Sequence, residues 1–470
     1  MCGVFGSIGA VPEQVSRALD ATAHRGPDAR GQIEVGNVVL GHVRLSILDL
    51  DRRSDQPFRA GDVAISFNGE IWNHAEVRRE LEALGRVFRT TGDTEVLAHA
   101  LDEWDEAALP RLQGMFAVAW TRGGEVLKAA RDRFGEVPLH GTLSRPFCVA
   151  SEVRALVAAG ALPEHVFWVP PGHVARASGV ASGRPAEVVP WYSPPVVPAR
   201  LARREAAVRL RAALRAGVAE RAISDASVCC LLSGGLDSAA VLKFLNEARP
   251  GTVAYTAVMN RKSPDLRAAR EVAEALGSEL REVEVPLPTG SDLAGVVRAI
   301  EMPHKAQVEI GWACLHLARR MRADGFKVTY SGEGSDELWA SYGFAYHALK
   351  TQGWHEYRRD LFLTQHRKNF ARCNKVFMAH SIECRLPFLN TGLVELALSL
   401  PRDAVQDGAR RPKAVLQEAM EGLLPDSVVR RTKLAFQDGL GLKDAVADSV
   451  SDARALYVCA FKKAFPGLAP

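Results

Sequence analysis

Cys2 stands directly behind Met1 in the run Met1-Cys2-Gly3-Val4-Phe5-Gly6. A small second residue favours excision of the methionine, and a cysteine left at an amino terminus carries its own base. A free α-amine titrates near about 7.7–8.0 and accepts the thiol proton close to neutral pH. Alone, a cysteine in second position is more often incidental than catalytic; its weight depends on what accompanies it.

Ser233-Gly234-Gly235-Leu236-Asp237-Ser238 follows the apolar run Val228 to Leu232 and precedes a helical stretch. Glycines there let backbone N–H groups turn inward, and a helix N-terminus adds partial positive charge, which together cradle an anion. Ser233 and Ser238 offer hydroxyls, and Asp237 suits Mg²⁺ held against phosphates. The G-x-x-x-x-G-K-[ST] spacing is absent, so this is not the P-loop of kinases and GTPases. A second loop, Ser331-Gly332-Glu333-Gly334-Ser335-Asp336-Glu337, also follows an apolar run. Acidic loops at the carboxyl ends of parallel strands point to a ligand crevice. There Asp336 shares the metal with Asp237 and Glu333 serves as an acid/base, although such a loop taken singly is most often a solvated turn.

The elements that must position these residues differ between the two halves. Up to about residue 190 the sequence predicts short strands (Val35 to Leu40, Val63 to Phe67, Met115 to Thr121, Phe147 to Ser151) and helices at Asn73 to Leu84 and Asp93 to Trp104. Residues 191–199 are proline-rich and predict a linker. Beyond it, a helix over Leu201 to Arg221 leads into strand–helix alternation: Val228 to Leu232, a helix from near Ala239, Thr252 to Met259, Leu266 to Leu276, Trp312 to Arg322 and Lys327 to Tyr330. That alternation predicts a parallel sheet with helices on both faces.

With 470 residues, 24% of them charged and a net charge of only +4, the chain reads as an ordinary globular protein of two or three domains with no nucleic-acid partner. No apolar run reaches the ~18–20 residues of a membrane span, and no secretory signal is present. The eight cysteines are scattered without a C-x-x-C pair, which predicts a reducing cytoplasm in place of a disulfide framework.

These motifs, in this order, resemble the glutamine-dependent asparagine synthetases over nearly the whole length. The first half is similar to a class II, N-terminal-nucleophile amidotransferase through Cys2 to Gly6, His24-Arg25-Gly26-Pro27-Asp28, Gly41 to Ile47, Phe67-Asn68-Gly69-Glu70-Ile71, Gly92-Asp93-Thr94-Glu95 and Arg131 to Gly135. The second is similar to the family's ATP-pyrophosphatase domain through both glycine loops, Ser263-Pro264-Asp265-Leu266, and Lys433 through Phe436 to Gln437-Asp438-Gly439.

The resemblance implies an α/β fold of two domains. An αββα sandwich occupies 1–190 and a doubly wound parallel-sheet domain 200–470, joined by the 191–199 linker. It further implies that Cys2 attacks the glutamine amide while Asn68 and the Gly69 N–H hold the oxyanion. Arg44 meets the α-carboxylate, and Asp93 and Glu70 the α-ammonium. ATP and Mg²⁺ are implied cofactors, with Ser233 to Ser238 on the pyrophosphate and Asp237 and Asp336 on the metal. Leu231, Val258, Ser331 and Gly332 fall in the nucleotide site, Glu333 assists ammonia's attack on the acyl-adenylate, and Lys433 neutralises phosphoryl charge. L-glutamine and a carboxylic acid are the implied partners, with a homodimer as the candidate assembly.

Two stretches depart from the family. Where it carries Thr-Thr-x-Arg beside aspartate, this chain has Gln307-Val308-Glu309 within Lys305 to Glu309; after Pro387-Phe388-Leu389 it has Asn390 in place of aspartate. Gln307, Glu309 and Asn390 therefore become candidate acceptor residues, and the sequence predicts an acceptor other than L-aspartate. Three alternatives stand beside this: a true asparagine synthetase, an amide cyclase of the β-lactam-synthetase or lasso-peptide type, and a non-catalytic nucleotide-binding scaffold. The intact Cys2, Arg44, Asn68, Gly69 and Asp93 set argues against the cyclase, and the intact Asp237, Glu333, Asp336 and Lys433 against the scaffold.

Overall fold

The computed structural model describes residues 1–178, 186–343, 345–407, 411–431, 439–442, 446–447, 450 and 452–468. In the first half, two six-stranded antiparallel sheets stack face to face. One runs in the order Val166–Trp168, His140–Thr142, Phe147–Ala150, Gly3–Ile8, Val38–Arg44, Ala29–Val35. The other runs Glu187–Pro190, His173–Ser178, Val126–Arg131, Gly114–Arg122, Val63–Ile71, Phe58–Ala60.

Alternation along the strands builds the layers, because successive side chains point to opposite faces. Val4, Ile8, Val38 and Leu40 pack between the sheets. Their neighbours Phe5, Val39 and Val43 face outward against helices Pro12–Ala21 and Val153–Ala158. Ile65 and Phe67 likewise face helices His74–Ala83 and Asp93–Trp104. The result is an αββα sandwich.

The second half forms a five-stranded, all-parallel sheet in the order Leu280–Glu284, Val253–Val258, Val228–Leu231, Val328–Tyr330, Glu383–Arg385. Chain order reverses between Val228–Leu231 and Val328–Tyr330. That switch point is where open α/β sheets bind ligands, just beyond the strands' carboxyl ends, and both glycine loops leave the sheet there. Residues 191–202 form no helix or strand, but Trp191 stacks on Phe116 and Tyr192 meets Phe134 edge-on, holding this stretch to the first half.

Three sequence expectations are corrected. Val35 to Leu40 is not one strand: Gly36, at φ 55°, turns the chain between Ala29–Val35 and Val38–Arg44. The helix expected near Ala239 begins at Leu236, so Asp237 and Ser238 lie in its first turn. The helix expected from Trp312 begins at Lys305. Gly311 hides its first two turns in the sequence; a Cβ there would come within 2.8 Å of Val296, so the glycine serves close packing against helix Gly290–Ile300.

The halves meet at a fully buried ion pair of the second half whose carboxylate reaches into the first. Lys375 Nζ lies 2.6 Å from Glu301 Oε2, both side chains at 0% exposure. Glu301 also accepts the N–H groups of Val153 and Arg154 at 2.9 Å, so a carboxylate from one half caps a helix of the other. Removing one member of a buried pair strands the other charge, which costs about 3–5 kcal/mol. Glu301→Leu should therefore lower stability by about that amount in urea denaturation, and adding Lys375→Met should recover part of it.

Candidate active sites

The first site lies at the start of strand Gly3–Ile8. The Cys2 N–H donates to Asn68 Oδ1 at 2.6 Å, and the Cys2 carbonyl accepts from Arg25 Nε at 2.9 Å. The Leu45 N–H approaches the Cys2 Sγ at 3.4 Å. Burial pushes the thiol pKa up, while the nearby amino terminus, the Leu45 N–H and Arg44 pull it back. Asn68 Nδ2 is buried with no hydrogen-bond partner in the structure, as an oxyanion donor awaiting its acceptor would be. Gly69 sits at φ 148°, and a Cβ there would meet the Met115 carbonyl at 2.0 Å; only glycine keeps this strand against its neighbour.

Glu70 and Asp93 are buried together. Burial, then Glu383 and Asp93 beside it, push the Glu70 carboxyl well above its ordinary range; burial raises Asp93 as well. Glu70 Oε2 has no hydrogen-bond partner, and an arriving ammonium would relieve both acids. Arg44 is placed otherwise than a free carboxylate clamp: it donates to Asp55 at 2.7 Å and to the Asp51 carbonyl at 2.8 Å, organising the loop beside the thiol. Met1 is buried, its α-amine 2.6 Å from Glu383 Oε2.

The second site lies at the switch point, in a cavity of about 150 Å³. Leu231, Ser233, Asp237, Ser238, Ser331, Gly332, Glu333 and Asp336 line it, with Thr256, Ala257, Ile310, Cys314, Arg372 and Phe377. Ser233 and Ser238 join hydroxyls at 3.0 Å across the first loop. Gly234, Gly235 and Leu236 lead into the helix, and a Cβ on Gly234 would meet the Asp265 carbonyl at 2.2 Å. The loops touch at Gly332, where a Cβ would fall 2.8 Å from that of Asp237.

Asp237 and Asp336 arrive from separate loops onto one ammonium, Lys413 Nζ, at 2.5 Å each. Burial pulls the Lys413 pKa down, but the two aspartates more than offset it and hold it above the ordinary lysine range. Among the described residues no three acidic, histidine or cysteine side chains gather as a metal cage. Two carboxylates beside a phosphate loop nevertheless fit Mg²⁺, which takes one or two carboxylates and completes its shell with phosphate oxygens and water.

Several expected residues are placed elsewhere. Val258 is buried in its strand, and Thr256 and Ala257 form that part of the cavity wall. Asn390 is an N-cap: its Oδ1 accepts from Leu393 N at 3.0 Å and its Nδ2 donates to Glu220 at 2.8 Å. Glu309 pairs with Lys305, about a quarter-turn round the helix from the cavity-lining Ile310, and is neither solvated nor on the cavity wall. Gln307 reaches the site through Arg372, whose Nε it accepts at 2.8 Å. Lys433 lies outside the described residues, as do Phe436 to Asp438.

Sequence reasoning missed Lys413 and Arg372. Arg372 is 1% exposed and pairs with Glu333. Neither has a local signature, since each is one basic residue at or within an ordinary helix. Only the neighbouring carboxylates, 176 and 39 positions away, mark them.

Residues 1–167 match the family model described as a glutamine amidotransferase domain, and residues 209–371 and 350–457 that described as asparagine synthase. The chain is 32% identical to an Arabidopsis thaliana glutamine-hydrolysing asparagine synthetase 2, covering 96% of this chain and 82% of that one. It is 30% identical to asparagine synthetase B of Escherichia coli (strain K12), covering 96% and 86%, and 30% identical to a Lotus japonicus counterpart, covering 96% and 81%.

Replacing the shared ammonium leaves two carboxylates facing one another and removes a positive charge from the phosphate loop. Lys413→Met should slow pyrophosphate release from ATP by about 10²–10³-fold. Glutamine hydrolysis, followed as glutamate formed without ATP, should stay near the parent rate.

Proposed function

The chain belongs to the asparagine synthase family, glutamine-dependent amidotransferases that use ATP, and from that premise we propose how its residues divide the work. Residues 1–190 release ammonia from glutamine. Residues 200–470 activate a carboxylic acid and amidate it, with 191–199 as the connection. Once Met1 is removed, the Cys2 amine takes the thiol proton and Sγ attacks the side-chain amide of L-glutamine, forming a γ-glutamyl thioester. Asn68 Nδ2 and the Gly69 N–H hold the oxyanion, a contribution of about 3–4 kcal/mol to the barrier. Glu70 and Asp93 receive the α-ammonium, and Arg44 takes the α-carboxylate by exchanging Asp55 for it.

In the second site Ser233 to Ser238, with Leu231, Ser331 and Gly332, bind ATP. The acceptor's carboxylate attacks the α-phosphorus and pyrophosphate leaves. Ammonia then attacks the acyl-adenylate, Glu333 takes a proton, and AMP leaves. Asp237 and Asp336 would hold Mg²⁺, which when bound would supply charge neutralisation on the phosphates. Lys413 keeps those carboxylates aligned, and Lys433 is assigned to the same phosphoryl charge. The meeting of Asp237 and Asp336 at the switch point carries this reading.

The acceptor proposed is a carboxylic acid other than L-aspartate. Glu309 is paired with Lys305, Arg372 with Glu333, and Lys413 with both aspartates. Among the described residues around Glu333, the cations are thus already matched, and an α-carboxylate would bring an unmatched charge. Glu309 is held off the cavity wall in a neutral pair with Lys305, so what aspartate loses is attraction and not a direct repulsion. A lysine there able to change partners favours the second reading, asparagine synthesis.

Cys2→Ala should abolish amide formation from glutamine yet keep it with ammonium chloride at alkaline pH. Retained glutaminase activity in that variant would remove Cys2 from its role. Across a panel of carboxylic acids assayed for AMP and amide, L-aspartate should be turned over at least about 100-fold less efficiently than the best acid, a difference of about 3 kcal/mol. Efficient asparagine formation would select the second reading.

A further inference from the structure

We infer that Asn374 is a positioning residue that couples glutamine hydrolysis at Cys2 to the state of the synthetase cavity. The inference rests on the two-site reading above. Helix Asn369–Met378 lies between the sites. Arg372 and Asn374 are two positions apart, about 200° round the helix, and so face opposite ways. On one face Arg372 forms part of the cavity wall and holds Glu333. On the other, Asn374 Oδ1 accepts from Arg25 Nη2 at 3.0 Å.

Arg25 is fully buried and spends its fork on three partners. Nη2 reaches Asn374, Nη1 reaches Glu152 at 2.8 Å, and Nε holds the Cys2 carbonyl at 2.9 Å. A guanidinium is planar and rigid, so a displacement at Nη2 is felt at Nε. A ligand that draws Arg372 from Glu333 therefore shifts the helix, Asn374 follows, and the main chain carrying the nucleophile is reset against Asn68. Such a ligand can bias the equilibrium only through its unequal affinity for the two arrangements, and Arg372 supplies that inequality. The two residues lie within one turn, so little of the movement is lost between them.

Three rates on the full chain test this: glutamate formation without ATP, glutamate formation with ATP and Mg²⁺, and amide formation from ammonium chloride. In the parent, ATP with Mg²⁺ should change glutamate formation by about fivefold or more. Asn374→Ala should abolish that response and keep the ammonium-dependent rate, while Asn374→Asp, which retains the acceptor oxygen, should restore the response. An unchanged response in Asn374→Ala overturns the inference. So does a parent that forms amide from ammonium chloride yet shows no ATP response, an outcome that leaves the two-site reading standing. A parent that forms no amide under any condition sinks both.

If Asn374→Ala loses every activity or fails to fold, the parent decides through iodoacetamide labelling of Cys2, with exposed Cys459 as the internal control. A Cys2 labelling rate altered by ATP with Mg²⁺ supports the coupling; an unaltered one refutes it.

Discussion

Buried charge at the boundary between the halves is the constraint on which the rest depends. Glu301 reaches Arg154 at 3.2 Å and the amides of Val153 and Arg154, Arg385 approaches Glu70 at 3.6 Å, and Arg25 donates to Asn374 at 3.0 Å, each contact crossing from one half to the other. Ions taken out of water cost several kcal/mol each, and their mutual attraction offsets this only when every partner is in place. A slip of the boundary by even an ångström would leave charges unmatched, so the halves have one low-energy arrangement. Fixed walls matter to a protein with two reaction centres, because ammonia that escapes into water is protonated and lost as a nucleophile.

Within that frame, both centres sit where regular structure stops. Cys2 precedes a strand, and Asp237 and Asp336 lie in the first turns of helices that follow strands. Strand ends fix the backbone to within a hydrogen bond, while the adjoining loops leave amides and carboxylates unspent. Glycine appears where two backbones must nearly touch. The orphaned atoms of the first centre, Asn68 Nδ2 and Glu70 Oε2, are polar groups that a stability-optimised core would have paired. Left open here, they mark the shape of what binds.

What the sequence made legible was local. The glycine loops, the parallel sheet they leave and the helix Asp93–Trp104 follow from spacing and periodicity within short windows. Asn390 was readable as an N-cap, since asparagine ahead of Thr-Gly-Leu is an ordinary helix start, yet family likeness drew it toward the acceptor. Glu309 was assigned through the family's Thr-Thr-x-Arg stretch, which fixes a position along the chain and not a helical face, and its side chain turns to Lys305 beside the cavity wall. Lys413, Arg372 and Asn374 were illegible for a different reason. Their partners lie far away in the chain, and no local pattern distinguishes a buried lysine that will meet two aspartates from a surface one.

Glu301 has one more implication, for exchange between relatives. Its carboxylate ends a helix in the partner half while its own backbone, at φ 56°, turns out of helix Gly290–Ile300. One residue thus closes two helices that belong to different reaction centres. A chimaera joined at the proline-rich segment inherits Glu301 from one parent and the amides of Val153 and Arg154 from the other. Recombination at that seam succeeds only between parents that place this carboxylate alike, so the two halves are free to vary in sequence but tied together in descent.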